Sequence, residues 1–342
     1  MNLRPVTALM LLPLFCVCTQ SNLPIAMAQR TLGSIERTTP EMDQLVAKDA
    51  MIEVLASGFT WTEGPVWVGD AGGHLLFSDI PRNSIFKWQN DGTVSLFMSP
   101  SGYTGVTYYG KEPGSNGLLL DPQGRLVMCE HGDRRLSVLT EQGGKRTLAD
   151  NYQGKRLNSP NDAVLKSNGD IYFTDPPYGL PGGADDPHRE LDFCGVYRRS
   201  ADGTVTLLTK EIGRPNGIAF SPDEKTLYVA QSDPAEANWT SFAVKEDGTL
   251  AAGKEINNVT ARVGKEPGLP DGLAVDRDGH LWASGPGGIF VMDAAGKLLG
   301  RVVTGERTSN CCFGPDGYLY MTVDSYLCRV KTLTGGSALQ GK

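Results

Sequence analysis

At 342 residues, with 40% hydrophobic and 21% charged side chains, the chain has the balance of a folded protein with a sizeable core, which excludes a disordered or fibrous chain. Its formal net charge of -7 excludes the basic face that a nucleic-acid partner requires. The 42 glycines and 21 prolines are spread along the whole length, as they are where many tight turns join short strands.

Residues 1–28 read as a targeting segment. Arg4 supplies the positive start, Val6 to Val17 is mostly apolar, and Ala26-Met27-Ala28 is a small-residue cleavage pattern before Gln29. The apolar run is too short to span a bilayer. The expectation is an exported, periplasmic protein that keeps no membrane attachment once the segment is removed. Five cysteines then remain, Cys129, Cys194, Cys311, Cys312 and Cys328. Their spacing resembles neither a disulfide framework nor a zinc site, so they read as buried thiols.

Residues 29–50 read as a leader in which Thr39-Pro40-Glu41 starts one short helix. Ile52 to Leu55 reads as a strand. From there one unit recurs six times: a polar residue, a small residue, a short apolar strand, a Gly-bearing turn and a second apolar strand. The copies are EGPVWVGDAGGHLLFSD from Glu63, NGLLLDPQGRLVMCE from Asn116, NDAVLKSNGDIYFTD from Asn161, NGIAFSPDEKTLYVAQS from Asn216, DGLAVDRDGHLWASG from Asp271 and SNCCFGPDGYLYMTV from Ser309. A further hairpin with alternating side chains follows most copies: SIFKWQNDGTVSLF, RLSVLTEQGGKRTL, GVYRRSADGTVTLL, SFAVKEDGTLAAG and GIFVMDAAGKLLGRVV.

Four short strands per roughly 50-residue repeat make one propeller blade. The predicted fold is therefore all-β, a six-bladed β-propeller of four-stranded antiparallel blades over residues 51–335, with a tail at 336–342. The sixth copy runs out after SYLCRVKTL without a fourth strand. The early strand at Ile52 is predicted to supply it and close the ring, leaving no free sheet edge there.

In a propeller the first strand of each blade lines the central channel. Glu63, Asn116, Asn161, Asn216, Asp271 and Ser309 therefore converge on one axis, with no lysine or arginine among them. Carboxylate and carboxamide oxygens of this kind suit one divalent cation, Ca²⁺ first, with Mg²⁺, Zn²⁺ or Mn²⁺ as alternatives. Taken singly, each is also an ordinary turn residue. Two insertions, Ser99 to Ser115 and Pro176 to Asp192, lead into or out of strands that carry candidate ligands, so both are placed to overhang the channel mouth.

The motifs EGPVW, CEHGDRR, GKRLNSPND, IYFTDPPYG, RPNGIAFSPD, PDGLAVDRDGHLWAS and SNCCFGPDG together resemble bacterial gluconolactonases of the senescence-marker-protein, gluconolactonase and luciferin-regenerating-enzyme family, over roughly residues 50 to 330. The resemblance implies a divalent metal, usually Ca²⁺, held by Glu63, Asn216 and Asp271, with Asn161 a metal or substrate contact. It implies hydrolysis of a sugar lactone, a small-molecule substrate, with Asp271 as general base and His131 as the second candidate. Asn116, Arg156, Asp175 and Tyr178 are the candidate substrate contacts. Animal members carry an arginine two residues before the third-blade asparagine, where this chain has Ser159; Arg156 is the nearby cation that could replace it. Hydrolysis of another ester or a phosphotriester, or a non-catalytic binding propeller, would use the same ligand set, and the oligomeric state is left open.

Overall fold

The computed structural model describes residues 30–337, so the targeting segment lies outside the described residues. Six antiparallel sheets surround one axis in chain order. Blade 1 is Thr62–Val68, His74–Asp79, Ser84–Gln89 and Val94–Met98. Blade 2 is Ser115–Leu120, Leu126–Glu130, Arg135–Leu139 and Lys145–Ala149. Blade 3 is Ala163–Leu165, Ile171–Asp175, Gly195–Arg199 and Val205–Thr209. Blade 4 is Pro215–Phe220, Thr226–Gln231, Asn238–Ala243 and Lys254–Asn258. Blade 5 begins with Leu273–Val275, Leu281–Gly285, Gly288–Met292 and Leu298–Val303, and blade 6 with Thr308–Phe313, Tyr318–Val323 and Tyr326–Lys331.

The ring closes as the sequence predicts. Ile52–Ser57 pairs antiparallel with Tyr326–Lys331, with Val330 opposite Ile52 and Tyr326 opposite Ser57. The leader does more than the sequence suggests, because it also adds an outermost fifth strand to each of the last two blades. Ser34–Arg37 pairs with the blade 5 edge, and Thr31–Leu32 pairs with Ile52 and Glu53 on blade 6. The predicted short helix is Met42–Leu45, reached by a turn in which the Met42 N–H bonds the Thr39 carbonyl at 3.2 Å. In blade 4 the sequence places the outer hairpin within SFAVKEDGTLAAG. There the structure makes only an isolated Val244–Leu250 bridge, and the fourth strand starts after Gly253. The backbone of Gly253 passes so close to Phe242 that a Cβ there would meet the ring at 2.7 Å.

The core is divided among the seams between blades. Trp67, Trp88 and Tyr320 pack between blades 6 and 1, Tyr172 and Phe220 between 3 and 4, Trp239 and Phe290 between 4 and 5, and Trp282 and Phe313 between 5 and 6. Each such side chain contributes about 1.5–3 kcal/mol on burial, so the seams hold the blades at fixed angles. All five described cysteines are buried free thiols. No helix among the described residues is long and apolar enough to cross a membrane.

Candidate active site on the propeller axis

Polar bonds between neighbouring blades fix the innermost strands. The Gly117 N–H donates to Asn161 O at 2.8 Å and the Gly272 N–H to Ser309 O at 2.6 Å. Hydroxyls make the other links, Ser78 Oγ to Asn116 O at 2.8 Å, Thr174 Oγ1 to Asn216 O at 2.7 Å and Ser309 Oγ to Thr62 O at 2.7 Å. Four of the six predicted ring residues, Asn116, Asn161, Asn216 and Ser309, thus have their carbonyls tied to the preceding blade.

Glycine follows the ring residue in four blades, at Gly64, Gly117, Gly217 and Gly272. At Gly217 a Cβ would lie 2.2 Å from Asp271 O, and at Gly272 it would lie 2.0 Å from the Asn310 carboxamide. The two blades without this glycine carry Asp162 and Asn310, which the sequence reading did not single out. Both are buried, and Asn310 Nδ2 lies 3.5 Å from Asp162 Oδ2. Glu63 lies against them, within hydrogen-bonding reach of Asn310.

Three carboxylates therefore crowd the axis, Glu63, Asp162 and Asp271. Burial pushes Asp162 up to about 7. Burial first, and then the charge of Asp162, pushes Glu63 well above the usual carboxylate range. Asp271 is raised for the same reasons, burial first and then the charges of Glu63, Asp162 and Glu112. No lysine or arginine is among the groups acting on these three. Asp271 Oδ1 and Asn116 Oδ1 are buried acceptors with no hydrogen-bond donor. Acceptor-only groups gathered in this way ionise together only if a cation sits among them.

The remaining predicted residues divide. Asn216 sits beside Asp271 and donates from Nδ2 to Ser232 Oγ at 2.9 Å. Asn161 is buried, with its backbone N–H on Thr174 O and its carbonyl on the Gly117 N–H. Tyr178 lies close to Asp271 and Ser232, with its hydroxyl buried and no hydrogen bond of good geometry to either. His131 is fully buried against Asn116, with Nε2 at 3.3 Å from Asn116 Nδ2.

Two predicted substrate contacts make other bonds in the fold. Asp175 is fully buried, and its two oxygens accept the backbone N–H groups of Asn158 and Ser159, each at 2.8 Å. It holds the loop that enters blade 3 and has no face toward a ligand. Asp79 and Gln231 hold the corresponding loops of blades 1 and 4, through Thr60 and Trp61 and through Gly213. Arg156 is exposed and donates from Nη2 to Asp133 O at 3.0 Å. The Ser159 hydroxyl is likewise occupied, donating to Pro176 O at 2.6 Å.

The two long loops meet where Gly110 packs on Pro181. The base of the first is held by Asn83 Oδ1, which accepts the N–H groups of Ser101, Gly102 and Tyr103. From this loop Glu112 hangs toward the axis, where its charge acts on Glu63 and Asp271, and Oε2 lies 3.5 Å from His131 Nδ1. The sequence offers no repeat by which Glu112 could have been found.

Two other features compete for attention. A cavity of about 340 Å³ lies below Asp162 and Asn310, toward the far ends of the inner strands, and is walled by Val66, Leu118, Val164, Ile218 and Leu273. Its walls are mostly apolar, with none of the convergent acceptors found above it. Asp276, Asp278 and His280 bring three potential metal-ligating atoms together. Asp276 already accepts the N–H groups of Asp278 and His280 and the Trp282 indole, so this group organises the hairpin turn of blade 5.

Comparison with known proteins gives a consistent picture. The pattern of the SMP-30/Gluconolactonase/LRE-like region matches residues 61–325. The chain is 40% identical over 314 residues to a gluconolactonase of Zymomonas mobilis, covering 90% of this chain and 88% of that one. It is 30% identical over 266 residues to a pentonolactonase of Haloferax volcanii, covering 76% and 80%. Among solved structures, a gluconolactonase from Xanthomonas campestris superimposes with a TM-score of 0.75 at 34% identity, over 89% of this chain and 99% of the other.

Proposed function

The chain belongs to the SMP-30/Gluconolactonase/LRE-like family, and from that premise we propose that it is a metal-dependent lactonase that opens sugar lactones at the centre of the propeller. The observation that carries the metal is the group of three buried carboxylates with unpaired acceptors and no nearby basic side chain. Glu63, Asn161, Asn216 and Asp271 offer hard oxygen donors, which fit Ca²⁺ first and Mg²⁺ or Mn²⁺ next, while Zn²⁺ favours nitrogen and sulfur. A divalent ion bound there would supply Lewis-acid polarisation of the ester carbonyl and a lowered pKa for water.

The chain's own side chains do the rest. Asn216 is held by Ser232, so its carboxamide is pre-oriented. Asp271 Oδ1, without a donor of its own, takes the proton of the attacking water. The water oxygen bonds to the acyl carbon, the ring C–O bond breaks, and the proton passes to the departing ring oxygen to give the open hydroxy acid. The unpaired Tyr178 hydroxyl beside Asp271 is placed to donate to a substrate oxygen. The two mouth loops limit bulk water. The small-residue cleavage pattern at Ala26–Ala28 supports a periplasmic site of action.

The test is to strip the protein with a chelator, reload it with each ion, and follow acid release from hexono- and pentonolactones and from aryl esters. The proposal expects sugar lactones to turn over only after reloading. Full activity in the stripped protein would remove the metal from the reaction. No turnover of any sugar lactone with any ion would remove the lactonase.

A further inference from the structure

The fully buried His131 stands between two groups that constrain it from opposite sides. Its Nδ1 faces Glu112 Oε2 at 3.5 Å and has no other partner, and its Nε2 faces Asn116 Nδ2 at 3.3 Å. A neutral imidazole carries one proton. With the proton on Nε2, Nδ1 would turn a lone pair toward a carboxylate, an arrangement of two acceptors. With the proton on Nδ1, the carboxylate faces an N–H, and Nε2 is free to accept from the Asn116 amide. The Asn116 carboxamide then has one orientation, with NH₂ toward the imidazole and the carbonyl oxygen toward the channel, where Oδ1 is buried and lacks a donor. Turned the other way, the amide would bring its carbonyl against the lone pair of Nε2.

We infer that Glu112 and His131 form a relay whose purpose is to fix the Asn116 carboxamide, so that the enzyme presents a preset hydrogen-bond acceptor to one hydroxyl group of a polyhydroxylated lactone. His131 is on this account a positioning residue and not the general base. Its Nδ1 is turned to Glu112 and its Nε2 to the Asn116 amide, so neither ring nitrogen is left to take a proton from water. Glu112 comes from the mouth loop and His131 from the turn after the second strand of blade 2, so the acceptor is set only when that loop is seated. The inference rests on the lactonase reading and adds to it what the substrate must carry: a hydroxyl donor at one defined ring position.

Steady-state kinetics of the metal-loaded full chain on gluconolactone and its set of monodeoxy analogues separates this from the alternatives. The variant His131→Ala is expected to raise KM for gluconolactone about tenfold, the size of one lost buried hydrogen bond, with kcat within about threefold and the pH dependence of kcat unchanged. One monodeoxy lactone, the one lacking the contacted hydroxyl, is expected not to respond. His131→Gln is expected to restore KM, because its amide oxygen accepts from Asn116 Nδ2. Glu112→Ala, at a partly exposed position, should reproduce the KM effect in weaker form and serves if His131→Ala does not fold. The inference is overturned if His131→Gln loses about a hundredfold or more in kcat together with a limb of the pH profile, which is the signature of a base. It is equally overturned if all the deoxy lactones respond alike, which is the signature of a structural role. Failure of the unaltered enzyme on every lactone would count against the lactonase reading instead.

Discussion

Asp162 Oδ2 and Asn310 Nδ2 stand 3.5 Å apart, although one belongs to the third blade and the other to the sixth, on opposite sides of the ring. The pair spans the channel and also lines the mostly apolar cavity below it. Asp162→Asn keeps the shape and removes one of three crowded charges. It is predicted to weaken divalent-ion binding by about 10- to 100-fold, the usual cost of altering a group that supports metal ligands, while leaving the metal-free protein folded. Isothermal titration with Ca²⁺ checks this; unchanged affinity would show that Asp162 does not support the site.

The same carboxylates set a pH dependence. An acid whose pKa is raised in the fold holds its proton there when the unfolded chain has already lost it. Stability therefore falls as pH climbs from the ordinary carboxylate value of about 4 through the raised one, which is about 7 for Asp162. The metal-free protein should lose melting temperature between about pH 5 and pH 8, and a saturating divalent ion should reverse most of that loss. A flat metal-free profile over that range would contradict the crowding.

Asp175→Asn tests the reassignment of that residue from substrate contact to loop anchor. An amide in its place sets an NH₂ against one of the two backbone N–H groups that the carboxylate accepts. The expected loss is about 2–4 kcal/mol of stability, read by urea denaturation. A variant with undiminished stability but raised KM would return Asp175 to the substrate.

Gly272→Ala and Gly305→Ala form a contrasting pair. A Cβ at Gly272 would meet the Asn310 carboxamide at 2.0 Å, whereas Gly305, at φ +76°, has nothing within 4 Å. The first is predicted to abolish most activity by displacing Asn310. The second should cost about 1 kcal/mol from its left-handed backbone alone, with activity kept. Lactone turnover beside melting temperature distinguishes them.

His280 and Asp276 give two further pH effects away from the site, the histidine's in the same direction as that of the crowded carboxylates and the aspartate's in the opposite one. The hydrogen bond to Asp276 raises His280. Burial alone would raise Asp276, but the His280 bonds outweigh it and hold Asp276 below its ordinary value. The histidine contribution is complete below its unfolded value of about 6.5 and fades as pH rises through the folded one, and the aspartate contribution fades in acid. His280→Gln should flatten that part of the melting-temperature change above about pH 6. An unaltered slope would mean that the pair is not formed in solution.

The ring of Glu63, Asn116, Asn161, Asn216, Asp271 and Ser309 was legible because one strand recurs six times and side chains at equal positions must share an axis. Asp162 and Asn310 carried a signal that the repeat reading passed over: they break a glycine found at the same place in the other four blades. Glu112 carried none, since a loop outside the repeat has no counterpart from which its direction could be read. At Asp175 the sequence shows a carboxylate at a strand end but not the two amides of the incoming loop that bond it. The leader strands at Thr31 and Ser34 were missed for a related reason. Edge pairing draws on backbone groups, and two to four residues leave too short a side-chain pattern to read.

The joining of Ile52–Ser57 to Tyr326–Lys331 also orders events in time. The strand that leaves the ribosome before any blade finds its partner only after every blade has been made. Until then the outer edge of the last sheet and the buried face around Cys328 and Val330 stay open to whatever the cell offers. The final step of folding is thus a meeting of the two ends of the chain, a loop closure of nearly its full length, and such distant pairings are the slow ones. A truncation at either end would leave blades that can each form but no latch to hold them as a ring.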